Sequence, residues 1–338
     1  VRRVAVVGAT GYAGGELVAL LARHPSAELA GVFSSTSGTV PFGALHPSLA
    51  RRAGPAAVPF TLPALMGCEP DVAFLATPNE AAAELVPQLL TVGIHVVDLS
   101  GAYRLASAED YPRWYGFEHP APHLLKSAVY GLTEWCNGEL AGAPLVANPG
   151  CYPTSVLLAL KPLLPLLAAD TQIVCDSASG VSGAGKKSEL AYSFAELAGN
   201  FKAYGVGTHR HEPEMRQALG LHSKTPFVFV AHLLPAVRGI LTTIHVTFAE
   251  ALDVEAVSGV YDAAYGSAPF VSVKAPGSLP ELKDVVGTPR AEIGFHLLDG
   301  GKRAVVVSAI DNLLKGAASQ AVQNFNRSSG FAETEGLL

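Results

Sequence analysis

The chain has 338 residues, 49% of them hydrophobic and 15% charged, so it is too apolar to be disordered and long enough for two domains, or one large one, at roughly 100–200 residues per domain. Lysine and arginine total 23 against 29 acids, a formal net charge of -6, and basic runs stop at pairs such as Arg2-Arg3, Arg51-Arg52 and Lys186-Lys187. That balance disfavours nucleic acid or an anionic membrane as the main partner. Gly8 cuts the first apolar run, Val4-Val7, short of a signal-peptide core, and no purely apolar stretch approaches the roughly 20 residues of a membrane helix. Cys68, Cys136, Cys151 and Cys175 form no CxxC pair and have no histidine at zinc-finger spacing, so neither disulfides nor structural zinc is expected and a reducing cytoplasm fits best.

In chain order, the β-branched run 3–7 closes on glycine and is followed by helical spacing over 16–22. Strands are expected at 29–33, 72–76 and 95–99, with a helix at 80–90. Alternating strands and helices predict an α/β fold, a doubly wound parallel sheet. From 105 to 150 the pattern loosens into a proline- and aromatic-rich stretch, and a boundary is expected near Asn148-Pro149-Gly150. Longer β-like runs at 172–177, 227–233, 240–249 and 304–310 predict an α+β second domain with a mixed or antiparallel sheet. A helix over 312–325 is expected to return to the first domain.

The first strand and helix enclose Gly8-Ala9-Thr10-Gly11-Tyr12-Ala13-Gly14, a GxxGxxG turn. Glycines permit the tight turn and close backbone approach, and a helix N-terminus offers amides and a positive dipole end to a pyrophosphate. An acidic residue about 20 positions further on would hydrogen-bond the 2′-hydroxyl of NAD. Ser34-Ser35-Thr36-Ser37 stands there instead, four hydroxyls without a carboxylate, which favours NADP.

Asn148-Pro149-Gly150-Cys151-Tyr152-Pro153-Thr154 leads into the apolar run 155–160, so Cys151 is expected at or just before a helix start, where amides and dipole stabilise a thiolate nucleophile. Pro162 and Pro165 should kink or end that helix. Such a nucleophile needs a proton donor and acceptor, and His209-Arg210-His211 supplies two imidazoles around a guanidinium suited to a carboxylate or phosphate. The HxH spacing can also ligate metal, but no third ligand is marked, so no metal is expected. Two weaker signals are Arg104 in 98–104, beyond a predicted strand and placed to meet a phosphate, and a second glycine-rich loop, Ser179-Gly180-Val181-Ser182-Gly183-Ala184-Gly185.

Six segments in order, GATGYAGGEL (8–17), DLSGAYRL (98–105), NPGCYPT (148–154), SGVSGAG (179–185), HRHEPE (209–214) and DNLLKGAASQAVQN (311–324), resemble the N-acetyl-γ-glutamyl-phosphate reductases. The resemblance implies a Rossmann NADP-binding domain over 1–148, completed by 312–338. A glyceraldehyde-3-phosphate-dehydrogenase-like α+β domain for catalysis, substrate and oligomerisation would span 149–311. It implies NADPH-dependent reduction of a small acyl phosphate with release of inorganic phosphate, in homodimers or homotetramers. Cys151 would be the nucleophile, and His211, with His209 in reserve, the acid/base. Gly8, Thr10, Gly11, Tyr12, Ala13, Gly14, Ser34, Ser35, Thr36, Ser179, Gly180, Gly183 and Asn312 would hold cofactor; Arg104, Asn148, Ser182 and Arg210 would hold substrate.

Aspartate-semialdehyde dehydrogenase shares this chemistry but places its histidine shortly after an arginine in a later strand region, where this chain reads Val237-Arg238-Gly239-Ile240, and isoleucine transfers no proton. Two further alternatives are a reductase of carrier-bound aminoadipyl or glutamyl phosphate, which would want a basic docking face, and a non-catalytic NADP-binding regulator, which has no need of Cys151 and both histidines.

Overall fold

Strands buried on both faces build the first half of the molecule. The structure is a computed structural model and describes every residue except 53, 137 and 187, so Lys187 of the Lys186-Lys187 pair lies outside the described residues, as do the side chains of 51 and 52. The chain divides into two units, Val1–Gly150 with Ala317–Leu338, and Cys151–Gly316.

In the first unit, β1 (Arg2–Val7), β2 (Ala27–Ser34), β3 (Val58–Pro59), β4 (Val72–Leu75), β5 (His95–Asp98), β6 (Val129–Tyr130) and β7 (Leu145–Ala147) form one sheet in the order β3-β2-β1-β4-β5-β7-β6. Every pairing is parallel. Val4, Ala5, Val6 and Val7 are all buried, as are Val72 to Leu75, because a doubly wound sheet has helices on both faces. Each such valine or leucine contributes roughly 1.5–3 kcal/mol of burial. β1 has β2 on one side and β4 on the other, the switch point beyond whose strand ends ligands bind in this architecture.

The last helix of this unit, Ser319–Ser329, buries polar side chains. Asn324 Nδ2 donates to Gly131 O (2.7 Å) and Asn148 Oδ1 (3.0 Å), and Thr133 Oγ1 donates to Asn324 Oδ1 (2.6 Å). Such a network is tolerated inside because its members are satisfied. Sequence spacing places this helix over 312–325, whereas it begins at Ser319 after a π-helical turn, Leu314–Ala318. Asp311 makes the difference: its Oδ1 accepts the amides of Leu313 (2.8 Å) and Leu314 (3.1 Å), which ties the chain into a local turn first.

In the second unit, β8 (Ile173–Gly180), β9 (Lys202–Tyr204), β10 (Phe227–Leu234), β11 (Ile240–Thr247), β12 (Val271–Val273), β13 (Ala291–Leu298) and β14 (Arg303–Ile310) form a mixed sheet ordered β12-β13-β14-β11-β8-β10-β9. β8, β10 and β11 alternate buried with more exposed residues, the mark of a sheet packed on one face. The helix Cys151–Leu160 packs on β11 and β14. Ser155 Oγ bonds Thr242 Oγ1 (2.8 Å) and Ser308 Oγ (2.6 Å) beneath it. Its last turn leaves carbonyls without intrahelical donors. Tyr261 and Tyr265, one turn apart on Val254–Tyr265, donate to Ala159 O and Leu158 O, each at 2.6 Å. After Leu160 the chain tightens into a 3₁₀ segment, Lys161–Leu166, at Pro162 and Pro165. The sequence reading missed β13, whose apolar run Gly294 interrupts; a Cβ there would lie 2.5 Å from Ser278 O.

Candidate active site

Gly8 to Gly14 join β1 to the helix Tyr12–Leu21. Gly8 has φ +94°, and a Cβ on it would fall on the carbonyl of Ala76 at the end of β4; one on Gly14 would fall on Gly8 O. No side chain fits between these backbones, so the turn is compelled to be glycine. Gly11 is the N-cap and provides no side-chain cap, so the first-turn amides, which have no intrahelical acceptors, are not covered by the cap residue. Amides left open at a helix start in this way can receive an anionic group.

Of the hydroxyls beyond β2, Ser34 is buried and bonds Thr36 Oγ1 (2.6 Å), while Thr36 Oγ1 donates to Gly38 O (2.9 Å). They shape the loop that leaves Ser35 exposed. No carboxylate occupies 34–37. Arg104 is nearly buried: its Nε donates to Asn148 O (2.8 Å) and its Nη2 to Leu99 O (2.7 Å), joining the ends of β5 and β7. Asn148 donates through Nδ2 to Ala317 O (3.3 Å) and accepts at Oδ1 from Asn324. Both residues thus hold backbone within the first unit, more than the sequence reading assigned them.

In the second unit, Cys151 is the first residue of its helix and only partly buried. Its neighbour Tyr152 meets the histidines: the Tyr152 ring meets His209 edge-on at 5.4 Å and His211 at 5.9 Å, and the two imidazoles lie 4.9 Å apart. Tyr152 Oη bonds Tyr204 Oη at 2.9 Å, and burial raises both phenols, Tyr204 to about 12, so both stay protonated. His211 begins the helix His211–Ala218 with Arg210 as its exposed N-cap. His209 Nδ1 accepts the His211 amide at 3.2 Å, and burial, then Arg210, holds His209 down at about 4. His209 is therefore neutral at pH 7, its other nitrogen carrying the proton.

The second glycine loop lies against 236–239. Val181 N donates to Ala236 O (2.9 Å) and Ser182 N to Val237 O (3.0 Å), and a Cβ on Gly180 would lie 2.7 Å from Arg238 N. Asn312 bridges the two segments: Nδ2 donates to Ser182 Oγ (2.9 Å) and Oδ1 accepts from Gly239 N (2.7 Å). A Cβ on Gly183 would lie 3.2 Å from Ser179 Oγ and 3.7 Å from Asn312 Nδ2, so Ser179, Gly180, Ser182, Gly183 and Asn312 are one cluster. Among the described residues no group of three His, Cys, Asp or Glu is placed to hold a metal.

The semialdehyde dehydrogenase NAD-binding domain matches residues 3–143, and the semialdehyde dehydrogenase dimerisation domain matches 151–312. N-acetyl-gamma-glutamyl-phosphate reductases from Thiobacillus denitrificans and Halorhodospira halophila are 43% and 46% identical to the chain, each over 99% of it and 97% of their own length. The chain belongs to the N-acetyl-gamma-glutamyl-phosphate reductase family. Aspartate semialdehyde dehydrogenase II from Vibrio cholerae, solved with ASA, matches at TM-score 0.70 and 18% identity over 96% of this chain and 97% of its own. The Candida albicans aspartate semialdehyde dehydrogenase, solved with NADP, matches at 0.65 and 17% over 98% and 99%. At those identities the likeness is one of fold.

Where the sequence reading of the aspartate enzyme sought a histidine, Ile240 is fully buried in β11, opposite Ser179 and Ile310. Arg238 pairs instead with buried Asp311, Nε to Oδ2 at 3.0 Å and Nη2 to Oδ1 at 3.1 Å. Sequence reasoning missed this pair and Gly316. A Cβ on Gly316 would lie 2.8 Å from the Cβ of Cys151, so the π-helical turn can abut the cysteine only as glycine. A glycine inside the helical run 312–325 was the available signal.

Proposed function

We propose that the protein reduces N-acetyl-γ-glutamyl phosphate to N-acetylglutamate 5-semialdehyde and inorganic phosphate with NADPH, through a thioester on Cys151, as a step of arginine biosynthesis. The observation that carries this reading is a thiol at the first residue of a helix whose second residue, Tyr152, packs against both His209 and His211. Relatives at 43% and 46% identity favour it over the carrier-bound and aspartyl alternatives.

The Cys151 thiolate, favoured at a helix start, attacks the acyl carbon; the C–S bond forms and the bond to phosphate breaks. NADPH, when bound, would supply the hydride that reduces the thioester. His211 gives a proton to the carbonyl-derived oxygen and takes it back as the C–S bond breaks, regenerating the thiolate and freeing the aldehyde. His209, neutral and tied to the His211 amide, orients that residue and is the reserve acid/base. Exposed Arg210 suits a substrate carboxylate or phosphate. Gly8 to Gly14 would hold the pyrophosphate, Ser35 the 2′-phosphate with Ser34 and Thr36 shaping its loop, and the cluster around Asn312 the nicotinamide end.

We assign the pyrophosphate and 2′-phosphate of the cofactor to the first unit, and its nicotinamide end, substrate binding and assembly to the second. A homodimer or homotetramer is supported by the dimerisation-domain match and by exposed Leu190, Phe194, Phe201 and Val206 in the second unit. The four free cysteines and the lack, among the described residues, of a helix able to cross a membrane suit a cytoplasmic enzyme. The deciding assay supplies purified protein with N-acetylglutamate semialdehyde, phosphate and NADP, beside aspartate semialdehyde and beside NAD. Phosphate-dependent formation of reduced cofactor with the first aldehyde and NADP is expected; turnover of the aspartyl substrate alone overturns the assignment.

A further inference from the structure

We propose that His46 is a positioning residue for the pyrophosphate of the cofactor, acting through the Ala9 peptide of the glycine turn; this rests on the cofactor reading above. His46 ends the short helix Phe42–Leu45 and is nearly buried. Its Nε2 lies 2.6 Å from Ala9 O, and because a carbonyl only accepts, Nε2 carries the proton and donates. On its other side Ala9 N donates to Phe33 O at 3.0 Å, so this fully buried residue is held at both ends.

No peptide bond among the described residues is cis, and in a planar trans peptide the carbonyl and the next N–H point in opposite directions. Holding Ala9 O toward His46 therefore turns the Thr10 N–H away from it, fixing one amide of the anion-binding turn before the ligand arrives. Preorganisation of this kind raises affinity by removing an ordering cost. The same contact accounts for Gly15, which lies outside the GxxGxxG spacing: a Cβ there would sit 2.6 Å from both ring nitrogens of His46. Phe42 backs the imidazole with ring centroids 5.3 Å apart.

The test measures binding of NADPH and of 2′-AMP, which has the adenosine and a 2′-phosphate but no pyrophosphate, to the full-length protein. His46→Leu is expected to raise the KM and Kd for NADPH about tenfold, equivalent to about 1.4 kcal/mol, with a much smaller change in kcat and 2′-AMP bound as before. His46→Gln, which keeps an N–H donor, should recover most of the loss. Gly15→Ala, which displaces the ring, should mimic His46→Leu, and the double variant should lose no more than either single one. Unaltered NADPH binding by His46→Leu, or equal weakening of NADPH and 2′-AMP, overturns the proposal. Failure of the unsubstituted protein to bind NADPH overturns the cofactor reading instead.

Discussion

At Tyr12 and at Cys151 the chain ends a strand and starts a helix within a few residues, yet the two junctions are made of opposite materials. The first is stripped of side chains: Gly8 and Gly14 leave no room for a Cβ, and the groups on offer are backbone amides. At the second, a thiol side chain stands at the helix start, Tyr152 meets the histidines, and the glycine has moved across to the facing segment as Gly316. A helix N-terminus attracts negative charge in either case. In the function proposed, that charge arrives with a ligand at the first junction and sits on the sulfur of Cys151 at the second, and the placing of the glycines makes room for each.

If the junctions divide the labour in this way, damage to each should show in a different constant. Cys151→Ser should lower phosphate-dependent semialdehyde oxidation by about three orders of magnitude or more, with the Kd for NADPH within twofold; steady-state rates and cofactor fluorescence read both. A regulator without chemistry would lose little. Replacing His211 with asparagine should lower kcat by about 10²-fold with modest change in NADPH binding, and an unchanged kcat transfers the acid/base role to His209.

Gly316→Ala crowds the cysteine and should lower kcat by roughly tenfold, whereas Gly8→Ala, a strained backbone position, should instead raise the KM for NADPH. A common pattern for these two variants would erase the distinction between the junctions.

The smallest effect is on stability against pH, where the two units should bend in opposite directions. Burial raises Asp98 of the first unit to about 6, against the hydrogen bonds from Ser100, so its contribution is intact below about pH 4 and lost as pH rises through 6. His209 of the second unit is lowered to about 4, so its contribution is intact above about pH 6.5 and lost as pH falls toward 4. Urea unfolding from pH 4 to 8 should show Asp98→Asn gaining on the unsubstituted protein as pH rises, and His209→Gln gaining on it as pH falls.

The parallel sheet was legible because strands buried on both faces read as unbroken apolar runs, and Val4-Val7 and Val72-Leu75 are such runs. Short strands such as β3 and β7 were not, since two or three residues hold no periodicity. The cysteine and the glycine turn stood out by residue type beside a predicted helix start, and the paired histidines by residue type alone; the helix that begins at His211 was not read from the sequence. Arg104 and Asn148 looked like ligand contacts because their guanidinium and amide suit one, while the fold also binds them to carbonyls and amides of its own.

Sequence alone determined the alternation of the longer strands and helices in the first unit, and the placing of a glycine turn and of Cys151 at helix starts, because each depends on neighbours a few residues apart. Only the tertiary structure decided that the His209 imidazole stays neutral, since that follows from burial beneath Tyr152 and Phe229 and the nearness of Arg210. It also decided that His46, far from Ala9 in the chain, donates to its carbonyl, and that Gly316 must yield to Cys151. Contacts between distant segments leave no local pattern, because the chain encodes them through the packing of everything between.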